Sequence, residues 1–353
     1  VPYGSGLSAQ LGLKTESTVG TEIVVDKFYE FLPPESIAYV PTYTDSAGLR
    51  AGQAFKRGSR TAITAHDVNG DWTLEHADRG IIATGGGMGL IWKHALGSPI
   101  TVPTLIASGA YKQIHVPGPR TGLSQTIQVG RPQTDGVVKA HTYRGVKYTG
   151  WEFTCNDGEL ATLKLSVDGW QEATATALAV AAFPSAAQIF GFADASNFKL
   201  GGTATTSAGE TTVASGVAVA TVVTGLTITA QTPLAAGRRG LGNAGVKREQ
   251  IENGIPVISG KLAGEYTSQS EFYSLIKSGA STVMQIDFTH GDAGGSNPFL
   301  LSFILPAVKF KEGGPQVGGP DIVGQDINFE AYDDSSGTNP VIQVKLVSTD
   351  QQL

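Results

Sequence analysis

Apolar and polar residues alternate along most of this chain with a period of two. Trp72 and Leu74, then Trp151, Phe153 and Cys155, then Leu163, Leu165 and Val167 each fall on one face of an extended segment. Met284, Ile286 and Phe288 do the same in the far half, as do Ile342, Val344 and Leu346, with Gly or Asp clusters between the runs. The pattern predicts antiparallel strands, because parallel pairing needs a crossover helix between successive strands. Helical periods are few. Ser268 with Glu271 three residues on reads as a capping box opening a helix through Phe272, Leu275 and Ile276, with Gly279 as its stop. A shorter helix is expected from about Gly89 to Leu96, with Leu90, Ile91 and Ala95 inward and Gly97 at its exit. The Ala-rich stretch from Ala173 to Ala182, broken by Pro184, is either a third helix or a linker.

The two halves resemble each other, the mark of a duplicated unit. Phe28-Tyr29-Glu30-Phe31 resembles Ile189-Phe190-Gly191-Phe192. Ala51-Gly52 leading to Lys56-Arg57 and Asn69-Gly70-Asp71-Trp72 is echoed by Gly245 leading to Lys247-Arg248 and Ser259-Gly260-Lys261-Leu262. The helix ending at Gly97 matches the one ending at Gly279, Gly145-Val146-Lys147-Tyr148 matches Ala307-Val308-Lys309-Phe310, and Leu163-Lys164-Leu165 matches Val344-Lys345-Leu346. The spacing lengthens after the first match, and the Gly/Thr/Ala-rich stretch at about 201–230 supplies the extra residues as an insertion outside the core. The expected fold is mainly β: two related antiparallel β-sandwich or barrel domains, residues 1–182 and 183–353, each with a short flanking helix.

Composition narrows the function. Charged residues make up 16% of the 353 residues, against roughly 25% in an average soluble domain, so much of the surface is neutral or covered by neighbours. The 46 glycines and 17 prolines suit many short strands joined by turns. A net charge of -6 without a dense Lys/Arg run argues against a dedicated nucleic-acid binder. The single cysteine, Cys155, excludes an internal disulfide framework and a thiolate zinc cluster and reads as a buried strand residue. No apolar run reaches the roughly 18 residues of a membrane span, and a basic-then-apolar signal layout is missing, so a soluble cytoplasmic setting is expected.

Chemical motifs are sparse. His66, His76, His94, His115, His141 and His290 show neither the helical pairing of a zinc site nor a nearby cysteine pair. Asp67-Val68-Asn69-Gly70-Asp71 alternates oxygen ligands, but its glycine is misplaced for a calcium loop, and a turn entering a strand is expected. Gly85-Gly86-Gly87-Met88-Gly89 lacks the Lys-Ser/Thr of a phosphate-binding loop. With no Gly-x-Ser-x-Gly elbow and no suggestive triad, no enzyme activity, cofactor or metal is expected. Two basic stretches remain: Arg50 with Lys56 and Arg57, and Arg238 and Arg239 with Lys247 and Arg248. Both lie in hairpin-like loops at equivalent places in the two halves, where arginine can grip carboxylates of a neighbouring subunit.

These residues also carry a family resemblance. The run Gly12-Leu13-Lys14-Thr15-Glu16-Ser17-Thr18-Val19-Gly20-Thr21 leading into Phe28-Tyr29-Glu30-Phe31 is followed by Lys93-His94-Ala95-Leu96-Gly97 and by Ile127-Gln128-Val129-Gly130-Arg131-Pro132. Together with Tyr148-Thr149-Gly150-Trp151-Glu152-Phe153 and Leu163-Lys164-Leu165-Ser166-Val167-Asp168-Gly169, this resembles the tail tube proteins of siphophages. The resemblance covers most of the first 195 residues and the second half more loosely, and departs most in the stretch 201–230.

The resemblance implies a structural virion protein whose sheets join those of neighbours in a closed barrel, stacked as rings into a tail tube through which DNA passes without specific binding. Closure removes exposed sheet edges. It also implies tape-measure and tail-terminator proteins as partners and assembly in the host bacterial cytoplasm. In such tubes a long hairpin reaches the next ring, and the two basic loops are the candidates. If each half is one tube domain, a trimer makes a pseudo-six-fold ring, favoured here over a hexamer. From other classes, a carbohydrate-binding or adhesive β-sandwich module shares the Gly/Thr-rich strands, and a β-rich hydrolase with carboxylates converging from distant strands leaves no local motif.

Overall fold

A computed structural model describes residues 4–80, 87–97, 102–183 and 187–353. In chain order the first half carries β1 (Gln10–Thr15), β2 (Lys27–Tyr29), β3 (Ala38–Asp45), β4 (Thr61–Glu75), α1 (Met88–Leu96), β5 (Thr104–Ala107), β6 (Ala110–His115), β7 (Gln125–Pro132), β8 (Val138–Asn156), β9 (Thr162–Gly169) and β10 (Gln171–Ala173). The second half carries β11 (Ala195–Leu200), β12 (Thr203–Ser207), β13 (Glu210–Ala214), β14 (Val217–Ala218), β15 (Val223–Gln231), β16 (Val257–Glu265), α2 (Ser274–Ser278), β17 (Thr282–Gly294), β18 (Asn297–Glu312), β19 (Gly324–Ala331) and β20 (Gln343–Ser348). The fold is mainly β, and its ladders are antiparallel as the alternation predicts.

One sheet runs β3–β4–β9–β8–β15–β16–β19–β18. Its outer four strands on either side come from the two halves of the chain, joined where β8 pairs with β15, Trp151 opposite Ala230 and Phe153 opposite Ile228. The early parts of β8 and β18 leave this sheet for a second layer. There β8 lies in the order β2–β1–β7–β8–β10. Likewise β18 lies in β14–β11–β17–β18–β20, extended by β6 and β5 of the first half. The hydrophobic core is continuous across residue 182, because β8 with β15 and β6 with β20 tie the halves together.

The two four-strand groups match in order and in detail. Across one half, Asn69 faces Asp168 and Asp168 faces Lys147; across the other, Ser259 faces Glu330 and Glu330 faces Lys309. Both long strands then carry a bulge at the same place, between Tyr148 and Gly150 and between Phe310 and Glu312. Gly70 and Gly260 hold equivalent positions where a neighbouring backbone comes close: a β-carbon on Gly70 would meet Ser36 O at 2.4 Å, and one on Gly260 would meet Thr227 O at 2.2 Å. Two of the sequence correspondences do not fall on equivalent strands. β19, not the β20 strand of Val344-Lys345-Leu346, holds the place of β9, and Ile189–Phe192 precede β11 whereas Phe28–Phe31 follow β1.

Between the layers sits an aromatic core. Phe153 of the eight-strand sheet packs on Phe303 of the second layer at 4.7 Å between ring centres. Trp92 of α1 wedges against both layers, 5.1 Å from Trp151 and 5.7 Å from Phe303. Its indole Nε1 donates to His76 Nε2 at 2.8 Å, which fixes the proton on Nδ1, and Nδ1 donates to Ala77 O. α1 ends on Gly97 in the left-handed region at φ 78°, and the buried Arg120 guanidinium donates to Ala95 O in its last turn. In the second half Phe272 lies against Phe310 at 5.1 Å.

Several expectations are corrected. Residues Gln269–Tyr273 form a π-helical turn running into α2, with Ser268 Oγ accepting from Ser270 N at its start and Gly279 closing α2 in the left-handed region, but the backbone kinks at Glu271 and the capping box is not completed. The Glu271 carboxylate reaches instead to Ala220 N, Thr221 N and Thr221 Oγ1, which consolidates the chain entering β15. The stretch 201–230 divides: β12 and β13 form a separate hairpin, but β15 lies inside the main sheet with Leu226, Ile228 and Ala230 buried. Asp67–Asp71 run through the middle of β4 and are not a turn, because their side of the sheet is polar. Residues 174–183 are irregular, held by Gln128 Nε2 on Ala177 O and Gln10 Nε2 on Ala179 O; Pro184, Gly85 and Gly86 lie outside the described residues.

Candidate assembly surfaces

The strand alternation gives the eight-strand sheet one apolar and one polar face. Leu74, Leu165, Phe153, Ile228, Leu262, Ile327 and Phe310 face the core. Asp71, Thr73, Lys164, Glu152, Thr227, Lys261, Asn328 and Lys309 stand on the other side, exposed or half-buried. Three lysines on this side are matched by acids on adjacent strands: Lys164 lies 3.2 Å from Asp71 and Lys261 lies 2.8 Å from Asp326, while Lys311 pairs with Glu330; Lys309 lies over the Tyr332 ring instead. Such exposed pairs add little stability. Their effect is to leave no bare stripe of positive charge.

The sheet has two outer edges. Among the described residues β3 pairs with β4 alone, and in the last residues of β18, 309–312, the side away from β19 carries no strand, because β17 stops pairing at Val308. β3 blunts its edge with Pro41.

The two predicted basic loops have different fates. The β3–β4 hairpin extends from the sheet with its tip in solvent: Leu49 is fully exposed and Phe55 is 85% exposed. Arg50 and Lys56 are exposed and Arg57 half-exposed, and Lys56 Nζ makes a surface pair with Asp45 at 2.5 Å. The segment between β15 and β16 instead folds down over β4, β8 and β9 of its own chain. Lys247 is buried, with Nζ 2.5 Å from Asp168 Oδ1 and 2.8 Å from Asp67 Oδ1. Arg239 Nη2 donates to Asp67 Oδ1 at 2.7 Å. Within the chain Lys247 and Arg239 are thus spent on the acid pair beneath them, Lys247 fully buried and the Arg239 side chain 25% exposed. Arg238 and Arg248 remain exposed, with Arg238 Nη1 donating to Glu249 O.

This in-chain clasp contains more than its basic residues. Gln250 Nε2 donates to Asp168 Oδ2 at 2.8 Å, Lys147 Nζ donates to Glu249 at 2.8 Å, and Arg120 N donates to Glu252 at 2.9 Å. Burial pushes the Asp168 carboxyl upward, opposed by Lys247. Asp67, Asp168 and Glu249 could not be picked out from the sequence, since their partners lie far along the chain. Among the described residues no group of three or more His, Cys, Asp or Glu is placed to hold a metal, and no helix is long and apolar enough to cross a membrane.

A sheet with a polar face, two unpaired edges and a projecting hairpin is built for joining to other sheets. The family model described as phage tail tube protein matches residues 6–331. The chain belongs to the phage tail tube protein family. A comparison with curated proteins gives no match. As a tail tube protein it is a structural component of the virion tail, and the match spans both halves of the sheet, including the β8–β15 joint.

Proposed function

We propose that three copies of this chain close into a ring, each contributing its eight-strand sheet to one barrel, and that stacked rings form the tail tube that carries the genome during ejection. The observation that supports this reading is the internal repeat of the sheet. Two four-strand groups of the same order and the same bulge are joined at β8–β15, and the free edges, β3 and the end of β18, are the same two kinds of strand. Joining β18 of one copy to β3 of the next repeats a joint the chain already makes, and three such steps close a pseudo-six-fold ring of two tube domains per chain.

The dimensions agree. Twenty-four strands spaced about 4.8 Å apart and tilted about 40° give a wall roughly 48 Å across, which leaves a channel for duplex DNA after the side chains are allowed for. The apolar face packs on the second layer, so the polar face must line the channel. There the paired lysines, with the net charge of -6, deny phosphate a place to release counterions. The tube acts as a passive conduit and not an enzyme. Tape-measure and terminator proteins are its expected partners, inside the lumen and at the tube's end.

Electron microscopy of the purified protein at high concentration should show hollow rods with a regular axial repeat, and averaged end-on views should show three-fold symmetry. A protein that stays monomeric at every concentration defeats the ring reading. Rings of six chains would refute the trimer.

A further inference from the structure

The in-chain clasp predicts what the free hairpin does. This inference rests on the three-chain ring. β3 corresponds to β15, with Ile37 beside Gly70 as Ile228 is beside Gly260. Lys56 follows Ile37 by nineteen residues, and Lys247 follows Ile228 by the same nineteen. Phe55 then corresponds to Val246. On the receiving side Asp168, which faces Asn69 and Lys147, corresponds to Glu330, which faces Ser259 and Lys309. The two hairpins are thus the same device in two states: the second is docked on the first half of its own chain, and the first has no second half within reach. Phe55, 85% exposed, marks the undocked state, because Val246 at the same place is half-buried.

We propose that the β3–β4 hairpin is a lateral clasp that crosses the joint between neighbouring copies in one ring and lays Lys56 on Glu330 of the next copy, as Lys247 lies on Asp168 within the chain. Glu330 is available for this. Its side chain is 28% exposed and its contact is with Lys311 on the surface. On docking, Lys56 exchanges its exposed Asp45 partner for Glu330 and Phe55 becomes covered. The new joint is weaker than the internal one, since Val257 stands where Asp67 supplies a second carboxylate to Lys247. This replaces contact with the next ring as the role of Lys56.

Disulfide trapping in assembled tubes tests the placement. Lys56→Cys with Glu330→Cys should give, on oxidation, covalent dimers and closed trimers on a non-reducing gel. Lys56→Cys with Glu152→Cys, on the polar face of the first half, should stay monomeric. Lys56→Cys with Val317→Cys, on the loop at the opposite end of the strands, would be trapped only if the hairpin reached the adjacent ring. In a second arm, Lys56→Glu should slow tube formation about five-fold, the effect of one partly exposed pair, and adding Glu330→Lys should restore it. Trapping through Val317→Cys, or tubes that form without trapping at Glu330→Cys, overturns the clasp and leaves the ring intact. Failure of the unmodified protein to form rings overturns the ring reading itself.

Discussion

Replacing Lys247 with methionine should lower folding stability by about 3–5 kcal/mol, the usual effect of leaving one partner of a buried ion pair without its counter-charge. The ammonium is buried and touches two carboxylates, and Asp168 would keep only Gln250 as a side-chain donor. Methionine matches the length of the lysine stem, so a lost cavity fill is not the cause. Combining Lys247→Met with Asp168→Asn should recover much of the loss, because removing both charges spares the desolvation that stranded one of them. The deficit of the single variant relative to the parent should also shrink as pH falls. Asp168, whose carboxyl burial already pushes up, loses the opposing charge of Lys247, so the folded variant holds a proton that the unfolded chain has released; that contribution is complete below the unfolded value and is lost as pH rises through the raised one. Urea unfolding at concentrations below assembly measures all three effects. A single variant within about 1 kcal/mol of the parent would show that the clasp contributes no more than a surface pair.

Stability should fall steeply as the solution is acidified below about pH 6. Burial pushes His76 down to about 4 and His94 and His115 down to about 3. Each therefore stays neutral in the folded protein while the unfolded chain takes up its proton near the ordinary value, so the stability they lend is complete above that value and is lost towards the depressed ones. Asp350 works in the opposite sense. Burial raises it to about 7, so the folded chain holds one proton that an unfolded aspartate has released between about 4 and 7. Among these four groups the difference is roughly two protons, an upper bound of about 3 kcal/mol per pH unit between pH 6 and 4, which Asp78 and Asp168 reduce because burial raises their carboxyls too. Melting temperatures at pH 7.5, 6, 5 and 4.5 give the slope, and His94→Gln should flatten it by about one proton. A level profile would mean that these imidazoles gain protons without unfolding.

Strands whose apolar residues alternate cleanly, such as Trp151-Glu152-Phe153-Thr154-Cys155, were legible because the period of two is a local property. β15 has the same alternation in Leu226, Ile228 and Ala230, but it sits at the end of a Gly/Thr/Ala-rich run whose composition suggests a surface insertion. Asp67-Val68-Asn69-Gly70-Asp71 has the residues of a turn and lies in a strand, since the polar face tolerates them and Gly70 admits the neighbouring backbone. Glu271 stands where a capping box would place it, yet its partners are on another segment. The candidate site followed the same rule. The basic loops were visible as clusters, and the fate of Lys247 was not, because its two acids come from β4 and β9. The likeness of the two halves is also clearer in paired strands than in sequence: the shared bulge shows in the register, while the Val344-Lys345-Leu346 match was a likeness between non-equivalent strands.

The joint between the halves also holds the chain's lone thiol. Cys155 lies opposite Leu226 across that seam, buried, with burial foremost in pushing its thiol up to about 11. A thiol so shielded reacts with an alkylating reagent only when the seam parts. Its labelling rate is thus a built-in clock for opening at the β8–β15 joint, readable in free chains and in finished tubes alike.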